Sequence, residues 1–572
     1  MKRCVNGQRW LMQNPNEQRA SKVEVIKRES DHLRGGITQA LTDGSSHFSE
    51  ENVQLLKFHG MYQQDDRDLR AQARKEGREK YYSMMIRARI PGGIVSADAY
   101  LKFDDLAEQY GNQTMRITTR QTFQLHGILK EDVKATLQGI HGVLLTTLGG
   151  CGDQVRNIIS CADPTDDALH RDIRADLLLL VNRLSARTNA YHEIWLDGEA
   201  VGFEGSRDEE PLYGDVYLPR KFKLGFTVEG HNCADVYAND LGIVAHSEGS
   251  RLIGYTLLVG GGMGKTPSDS ATYPRLATPV AFVTREQLAD TCVEIVKIQR
   301  DYGNRAERRY ARFKYLLDTR GLDWFASELA ARVGRGLVAP RELVWTSAHD
   351  HLGWHDSGAG RGYLGIFVQN GRIKDWPHVR LKSALRRIVQ TYRPTVRLTT
   401  QQNLLLCDLS ERDRGLIEQI LRAAGVTLMD EVSTTLEYSM ACPAMPTCGL
   451  ATAESERVFP EVIRSLERLL AELGLEQEAV SIRMTGCSNG CARPYIADIG
   501  FVGRTPGKYD LYLGGDLMGA RLNQIYRETL SMVDFIDVLR PVLRAFAETR
   551  AGEERFGEFC NRVGMDYLRA LS

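Results

Sequence analysis

The sequence predicts an α+β protein in three domains, one of them discontinuous, built around an internal duplication. Three observations lead there. MRITTRQTFQLHGI, around Arg116 to Gly127, is echoed by VRLTTQQNLLLCDL, around Arg397 to Asp408. Both carry R-[IL]-T-T-x-Q with alternating apolar residues, which reads as strand. GYTLLVGGGMG (Gly254 to Gly264) is echoed by YDLYLGGDLMG (Tyr509 to Gly519), in the same order along the chain. A polar-apolar helical stretch precedes each copy of the first motif, SADAYLKFDDLAEQYG and then VRLKSALRRIVQTYR. Two echoes in one order argue for a duplicated unit.

In chain order, residues 1–80 come first and are rich in charge and Gln. QQDDRDLRAQARKEGREKYY is almost wholly polar, which suits a solvated, partly disordered arm or a docking segment for a partner. The two repeats then divide their chemistry. The first keeps Arg120, Gln124 and His126 where the second has Gln401, Leu405 and Cys407. Paired cysteines occur only in the second half. One half is therefore expected to supply anion contacts and the other metal ligands, with the site between them. Near the C-terminus, AESERVFPEVIRSLERLLAELGL places Val458, Val462, Leu466, Leu469, Leu470 and Leu473 on one helical face. AVSIRMT, just after it, alternates as a strand does.

Bulk composition excludes some classes. The chain has 572 residues, net charge -1, 42% hydrophobic and 26% charged residues. That balance gives no global attraction to nucleic acid or an acidic membrane. No secretory h-region is read at the N-terminus, and no apolar run approaches the roughly 20 residues a bilayer needs. The cytoplasm is the expected compartment. Of eleven cysteines, Cys442, Cys448, Cys487 and Cys491 form two close pairs and the others are scattered. A disulfide framework is disfavoured in a large cytosolic chain, so the paired thiols are read as metal ligands.

Their pattern is C-x5-C, about forty residues, then C-x3-C. Structural zinc and an iron–sulfur cluster are both candidates, and unliganded core thiols a third. Zinc knuckles usually use C-x2-C, and the looser spacing favours a larger object. Gly486 and Gly490 would let the backbone approach it and offer N–H groups to sulfur.

The basic residues form short strands: Arg87 and Arg89 in MMIRARIPGG, Arg116 and Arg120 in RITTRQ, Arg156 in QVRNII, Lys221 and Lys223 in LPRKFKLGF. GNRAERRYARFKY adds Arg305, Arg308, Arg309, Arg312 and Lys314, although such a run is more simply a wet helix face. Several basic strands in a chain of near-zero charge suggest a concave anion site. Its ligand would carry several carboxylates or be a small oxyanion. His126 alone reads as a structural histidine; its Arg and Gln neighbours single it out.

FHGMYQQDDRD, the IPGG turn, TTRQTFQLHGILK, LPRKFK, ANDLG, LLVGGGMG, the GNR stretch and both cysteine pairs run in one order from about residue 20. Together they resemble the siroheme nitrite and sulfite reductases. FHGMYQQDDRD and LPRKFK point to the hemoprotein of NADPH-dependent assimilatory sulfite reductases. The resemblance implies a trilobed α+β fold with a pseudo-twofold repeat, siroheme coupled to a 4Fe–4S cluster, and six-electron reduction of sulfite to sulfide. It also implies a division of the chain. Residues 1–80 would be the docking arm, 81–148 with 355–429 a discontinuous ferredoxin-like repeat domain, 149–354 the siroheme- and sulfite-binding domain, and 430–572 the iron–sulfur and siroheme domain. Cys442, Cys448, Cys487 and Cys491 would hold the cluster, with Cys491 also ligating the siroheme iron. Arg87, Arg156, Lys221 and Lys223 would hold sulfite. Arg116, Thr118, Arg120, Gln124, His126, Asn304 and Arg308 would contact siroheme.

Ser488 and Ala492 stand where the family often has Pro and Gly, and the first twenty residues do not resemble its start. LLVGGGMGK lacks the order of a dinucleotide-binding loop, so electrons must come from outside. In the family that donor is a flavoprotein carrying FAD and FMN that oxidises NADPH. Competing expectations are a siroheme nitrite reductase, a ferredoxin-dependent sulfite reductase, and a non-catalytic protein with a Cys4 zinc scaffold.

Overall fold

The computed structural model describes residues 20–197, 210–267 and 269–571. Among the described residues the architecture is α+β, with four sheets of five or six strands related in two pairs. The first sheet runs Met61–Asp65, Tyr82–Arg87, Phe123–Ile128, Met115–Ile117, Arg372–Ile373. The second runs Gly353–Gly358, Arg361–Ile366, Leu404–Ser410, Thr395–Leu398, Ile94–Val95. The orders are the same, and each half lends its last short strand to the other. Ile94–Val95 pairs with Val396 and Arg397, while Arg372–Ile373 pairs with Met115 and Arg116.

The exchange depends on two matching turns. Gly93 and Gly371 both have positive φ, at 74° and 72°. A Cβ would lie 2.5 Å from Leu398 O at Gly93 and 2.3 Å from Ile117 O at Gly371. Only glycine fits such an approach. The strand expected through each T-T-x-Q is instead two strands joined by a tight turn. Thr118 N–H donates to Thr122 O at 3.0 Å and Thr399 N–H to Asn403 O at 2.9 Å. Gln121 and Gln402 take left-handed conformations there. Local hydroxyl and amide bonds outweigh the β propensity of the threonines.

The helices Ala97–Gln109 and Leu381–Tyr392 follow the exchanged strands and pack together. Ser96 caps the first by accepting from Ala99 N–H at 3.1 Å. Buried Asp104 lies 2.5 Å from Arg386 and 3.5 Å from Lys382 across the repeat boundary.

The other two sheets repeat each other as well. Leu224–Val228 lies parallel to Leu241–Glu248, which is antiparallel to Arg251–Val259. Ile482–Thr485, Ile499–Thr505 and Lys508–Leu513 repeat the arrangement. Val259 pairs with Leu241 as Leu513 pairs with Ile499, so Gly260 and Gly261 match Gly514 and Gly515. This register differs by one residue from the end-to-end alignment of the two glycine motifs. The helix Phe459–Glu472 buries Val462, Leu466, Leu469 and Leu470, as its periodicity predicts, with Val458 and Leu473 packed at the margin. Each fully buried leucine contributes roughly 1.5–3 kcal/mol.

Residues 20–80 are not a solvated arm. Ile26, Leu33, Ile37, Leu55, Leu56, Phe58 and Met61 join the main core, and Met61–Asp65 forms the edge of the first sheet against Tyr82–Arg87. Some of this segment's polar residues are used as ties, while most of 68–80 is exposed, as the polar sequence suggests. Lys27 is buried, donating to Leu218 O at 2.9 Å and paired with Glu24. The part of that segment before residue 20 lies outside the described residues.

Candidate active site between the two halves

The strand Met440–Ala441 leads into Cys442, and Ile482–Thr485 leads into the loop of Cys487 and Cys491. These two strands are parallel neighbours, which brings the loops side by side. Gly486 is essential to the approach. A Cβ there would lie 2.5 Å from both Ala444 Cβ and Ala453 O. Its N–H points at Cys442 Sγ, 3.3 Å away, and Asn489 Nδ2 lies 3.4 Å from Cys487 Sγ. Gly490 takes a left-handed turn, at φ 64°, just before Cys491. Cys442 and Cys487 are buried, Cys448 is half-buried and Cys491 is exposed.

Among the described residues, these four thiols are not a group close enough to share one ion. They are still near enough for the charges of Cys448, Cys487 and Cys491 to raise the Cys442 pKa, on top of the larger effect of burial. Burial and then Cys491 likewise push Cys487 up to about 11. Four such sulfurs, spread apart and two of them receiving N–H bonds, fit the corners of a 4Fe–4S cluster better than a zinc ion.

Lys223, which feels the charge of Cys491, belongs to a set of neighbouring cations. Lys221 is pressed well below its ordinary pKa by burial, then by Arg220, Lys223, Arg312 and Arg156. Lys223 falls to about 7 by burial, then by Arg312 and Arg120, while Cys491 and Asp240 pull it back up. Neither ammonium has a hydrogen-bond or ion-pair partner among the described residues. Arg156 is buried, with Nε donating to Gly152 O at 2.8 Å. Arg120 donates to Asn239 Oδ1 at 2.6 Å and to Asn157 O and Leu224 O at 2.5 and 2.8 Å. Arg87 lies 3.3 Å from Cys151 Sγ, and the Gln124 carbonyl accepts from it at 2.5 and 3.3 Å in the amide orientation that suits both groups. His126 is kept neutral by burial and by Arg372, Arg116 and Arg87. Its Nδ1 meets Gln64 Oε1 at 3.2 Å, and its buried Nε2 has no partner among the described residues. Buried cations and orphaned polar atoms are costly without a ligand. This lining fits an anionic, carboxylate-bearing cofactor and an oxyanion.

Other predicted site residues are engaged with the protein. Arg116 donates to Ala441 O at 2.9 Å and, at 3.3 Å, to Glu456, which also binds Arg372. It therefore holds the strand leading to Cys442. Thr118 Oγ1 is used within its own turn, by Thr122 and by Arg120 N–H. Asn304 caps a turn through Ala306 and Glu307 N–H. Arg308 places its fork on Asp153 at 2.8 and 3.0 Å. Arg312 is tied to Asp240, and the Lys314 ammonium is held by the carbonyls of Gly262, Gly264 and Tyr273. The basic GNRAERRYARFKY run is thus mostly structural. Lys314 clamps the GGGMG loop, and the adjacent Lys265 exchanges bonds with Ser488 in the cysteine loop.

Residue-type reading missed the contribution of residues 58–68. Arg67 donates to Cys448 O at 3.2 Å and to Ala451 O, bracing the cluster loop. Gln64 orients His126, and Tyr62 lies against Arg156. The available signal was the dense polarity of MYQQDDR beside apolar Phe58 and Met61.

Comparisons with known proteins agree with this geometry. Residues 179–337 and 440–572 match the family described as Nitrite and sulphite reductase 4Fe-4S domain. Residues 75–143 and 355–424 match the Nitrite/Sulfite reductase ferredoxin-like half domain. The chain is 44% identical over 544 residues to the sulfite reductase (NADPH) hemoprotein beta-component of Staphylococcus saprophyticus, covering 95% of each chain. It is 44% identical over 553 residues to the protein of the same name from Shouchella clausii, covering 96% of each. The solved Mycobacterium tuberculosis NirA protein shares the fold, with TM-score 0.78 and 23% identity over 97% of this chain and 98% of that one. No helix among the described residues is long and apolar enough to cross a membrane.

Proposed function

The chain belongs to the nitrite and sulphite reductase family, and from that premise we propose that it is the hemoprotein component of an assimilatory, NADPH-dependent sulfite reductase. The reaction is sulfite plus six electrons and seven protons giving hydrosulfide and three waters. The observation that carries the choice of an oxyanion substrate is the pair Lys221 and Lys223, two half-buried lysines without partners among the described residues, with Lys223 close enough to Cys491 to feel its charge.

Cys442, Cys448, Cys487 and Cys491 would hold the 4Fe–4S cluster, and Cys491, the exposed thiol, would also hold siroheme. The coupled cofactors, when bound, supply electrons to the substrate sulfur. Arg120, Gln124 and His126 would contact siroheme. Arg116, Thr118, Asn304 and Arg308 act through position: they fix the strands and turns that carry those contacts. Arg87, Arg156, Lys221 and Lys223 bind the sulfite oxygens. Arg forks suit the paired oxygens, and Lys223, lowered to about 7, holds a proton it can release near neutral pH. Cationic groups fixed where oxygen carries developing charge stabilise each S–O cleavage without reorganising.

A flavoprotein carrying FAD and FMN passes electrons from NADPH. The cytoplasm suits the chain because its ligand thiols must stay reduced. Steady-state rates with a dye donor test the substrate. The specificity constant for sulfite should exceed that for nitrite; a far higher value for nitrite would overturn the assignment.

A further inference from the structure

The pseudo-twofold repeat places a second pair of cysteines where the cluster ligands lie in the other half. Cys233 stands eight residues before Leu241, and Cys491 eight before Ile499, the two strand residues that pair with Leu224 and Ile482. Ile159 is bridged to Gly225 as Met440 is paired with Arg483. Cys161 and Cys442 each follow two residues later. Cys161 and Cys233 therefore occupy the positions of Cys442 and Cys491.

Here the companions are histidines. Cys161 Sγ lies 3.4 Å from His231 Nδ1 and 3.4 Å from His351 Nε2. The ligand atoms of Cys161, His231, Cys233 and His351 all lie within 4.8 Å of one another. Around zinc, with Zn–S about 2.3 Å and Zn–N about 2.0 Å, tetrahedral ligands stand about 3.3–3.8 Å apart. His231 turns Nδ1 to the group, and its Nε2 lies 3.2 Å from His349 O, the outer bond that fixes a ligating imidazole. Ala162 N–H bonds to the Cys233 sulfur. A cleft of about 200 Å³ lined by Gly92, Ser160 and Cys161 offers an entry path.

We propose that Cys161, His231, Cys233 and His351 form a structural zinc site, separate from the iron–sulfur cysteines. An S2N2 donor set selects zinc among common divalent ions, and four protein ligands leave no position for chemistry. The ion ties three distant stretches, at 161, 231–233 and 351. Thr400 carries the linkage onward: its hydroxyl bonds Cys233 O, and its carbonyl accepts from Arg493 at 2.9 Å, two residues past Cys491. The site does not depend on the reaction assigned above.

The test is elemental analysis and zinc K-edge X-ray absorption on tag-free holoprotein. About one zinc per chain is expected beside the iron, with two sulfur ligands at about 2.3 Å and two nitrogen ligands at about 2.0 Å. Cys233→Ser and His351→Gln should lose the zinc and keep the iron. If either variant fails to fold, the wild-type spectrum still decides. Zinc bound by sulfur alone, absence of zinc with both thiols free, or a Cys161–Cys233 disulfide found by mass spectrometry would overturn the proposal.

Discussion

Arg493 and Asp235 occupy equivalent positions in the two halves, each in a left-handed conformation just before a 3-10 turn, and they pair with each other. Arg493 Nε lies 2.5 Å from Asp235 Oδ2, and Arg483 donates to the same oxygen at 2.8 Å. All three side chains are buried. The pseudo-twofold relation therefore passes through a salt bridge two residues from Cys491 on one side and Cys233 on the other.

Asp235→Asn should leave two buried guanidiniums short of a counter-charge, at a cost of about 3–5 kcal/mol. The expected result is a lower thermal midpoint together with reduced siroheme content, read by differential scanning fluorimetry and the visible spectrum. An unchanged midpoint would remove the pair from the account of how the halves are held.

Lys221→Ala or Lys223→Ala should keep the cofactor spectrum and lose turnover with sulfite, on the order of 10²-fold or more for removal of a proton-donating cation. Loss of siroheme in either variant would assign that lysine a structural role instead.

Gly486→Ala should lower cluster iron, because the added methyl would meet Ala444 and Ala453 at 2.5 Å. Iron and acid-labile sulfide assays check this; full cluster occupancy would mean that the loops can yield.

A pH dependence follows from Asp153. Burial alone would raise its pKa, but Arg308, Lys27 and Arg220 hold it well below the carboxylate range. A depressed folded pKa gives stability that is full above the unfolded value of about 3.9 and is lost as pH falls through the folded value. Asp153→Asn should therefore be destabilised at pH 7, and its gap from wild type should narrow below about pH 4. Urea midpoints at pH 7, 4 and 3 measure the gap; one that widens with acid would contradict the sign.

Much of this was legible in the sequence. The TTRQ and TTQQ segments revealed the duplication, and the four paired cysteines and the helix face at Val462 and Leu466 were readable by spacing. The T-T-x-Q turn was hidden because threonine favours strands while its hydroxyl closes turns. The exchanged strands at Ile94 and Arg372 are too short to show a period. Residues 20–80 were misread because Arg67, Gln64 and Lys27 are polar for contacts made far along the chain. Cys161, His231, Cys233 and His351 escaped notice because the fold, not local spacing, brings them together.

The most direct measurement is the visible and electron paramagnetic resonance spectrum of the as-isolated protein, with its iron counted. Siroheme absorption bands and about five iron atoms per chain, one in siroheme and four in the cluster, are predicted. In Cys491→Ser the siroheme signal should change or vanish. A colourless protein holding zinc on Cys442, Cys448, Cys487 and Cys491 and no iron would contradict the account.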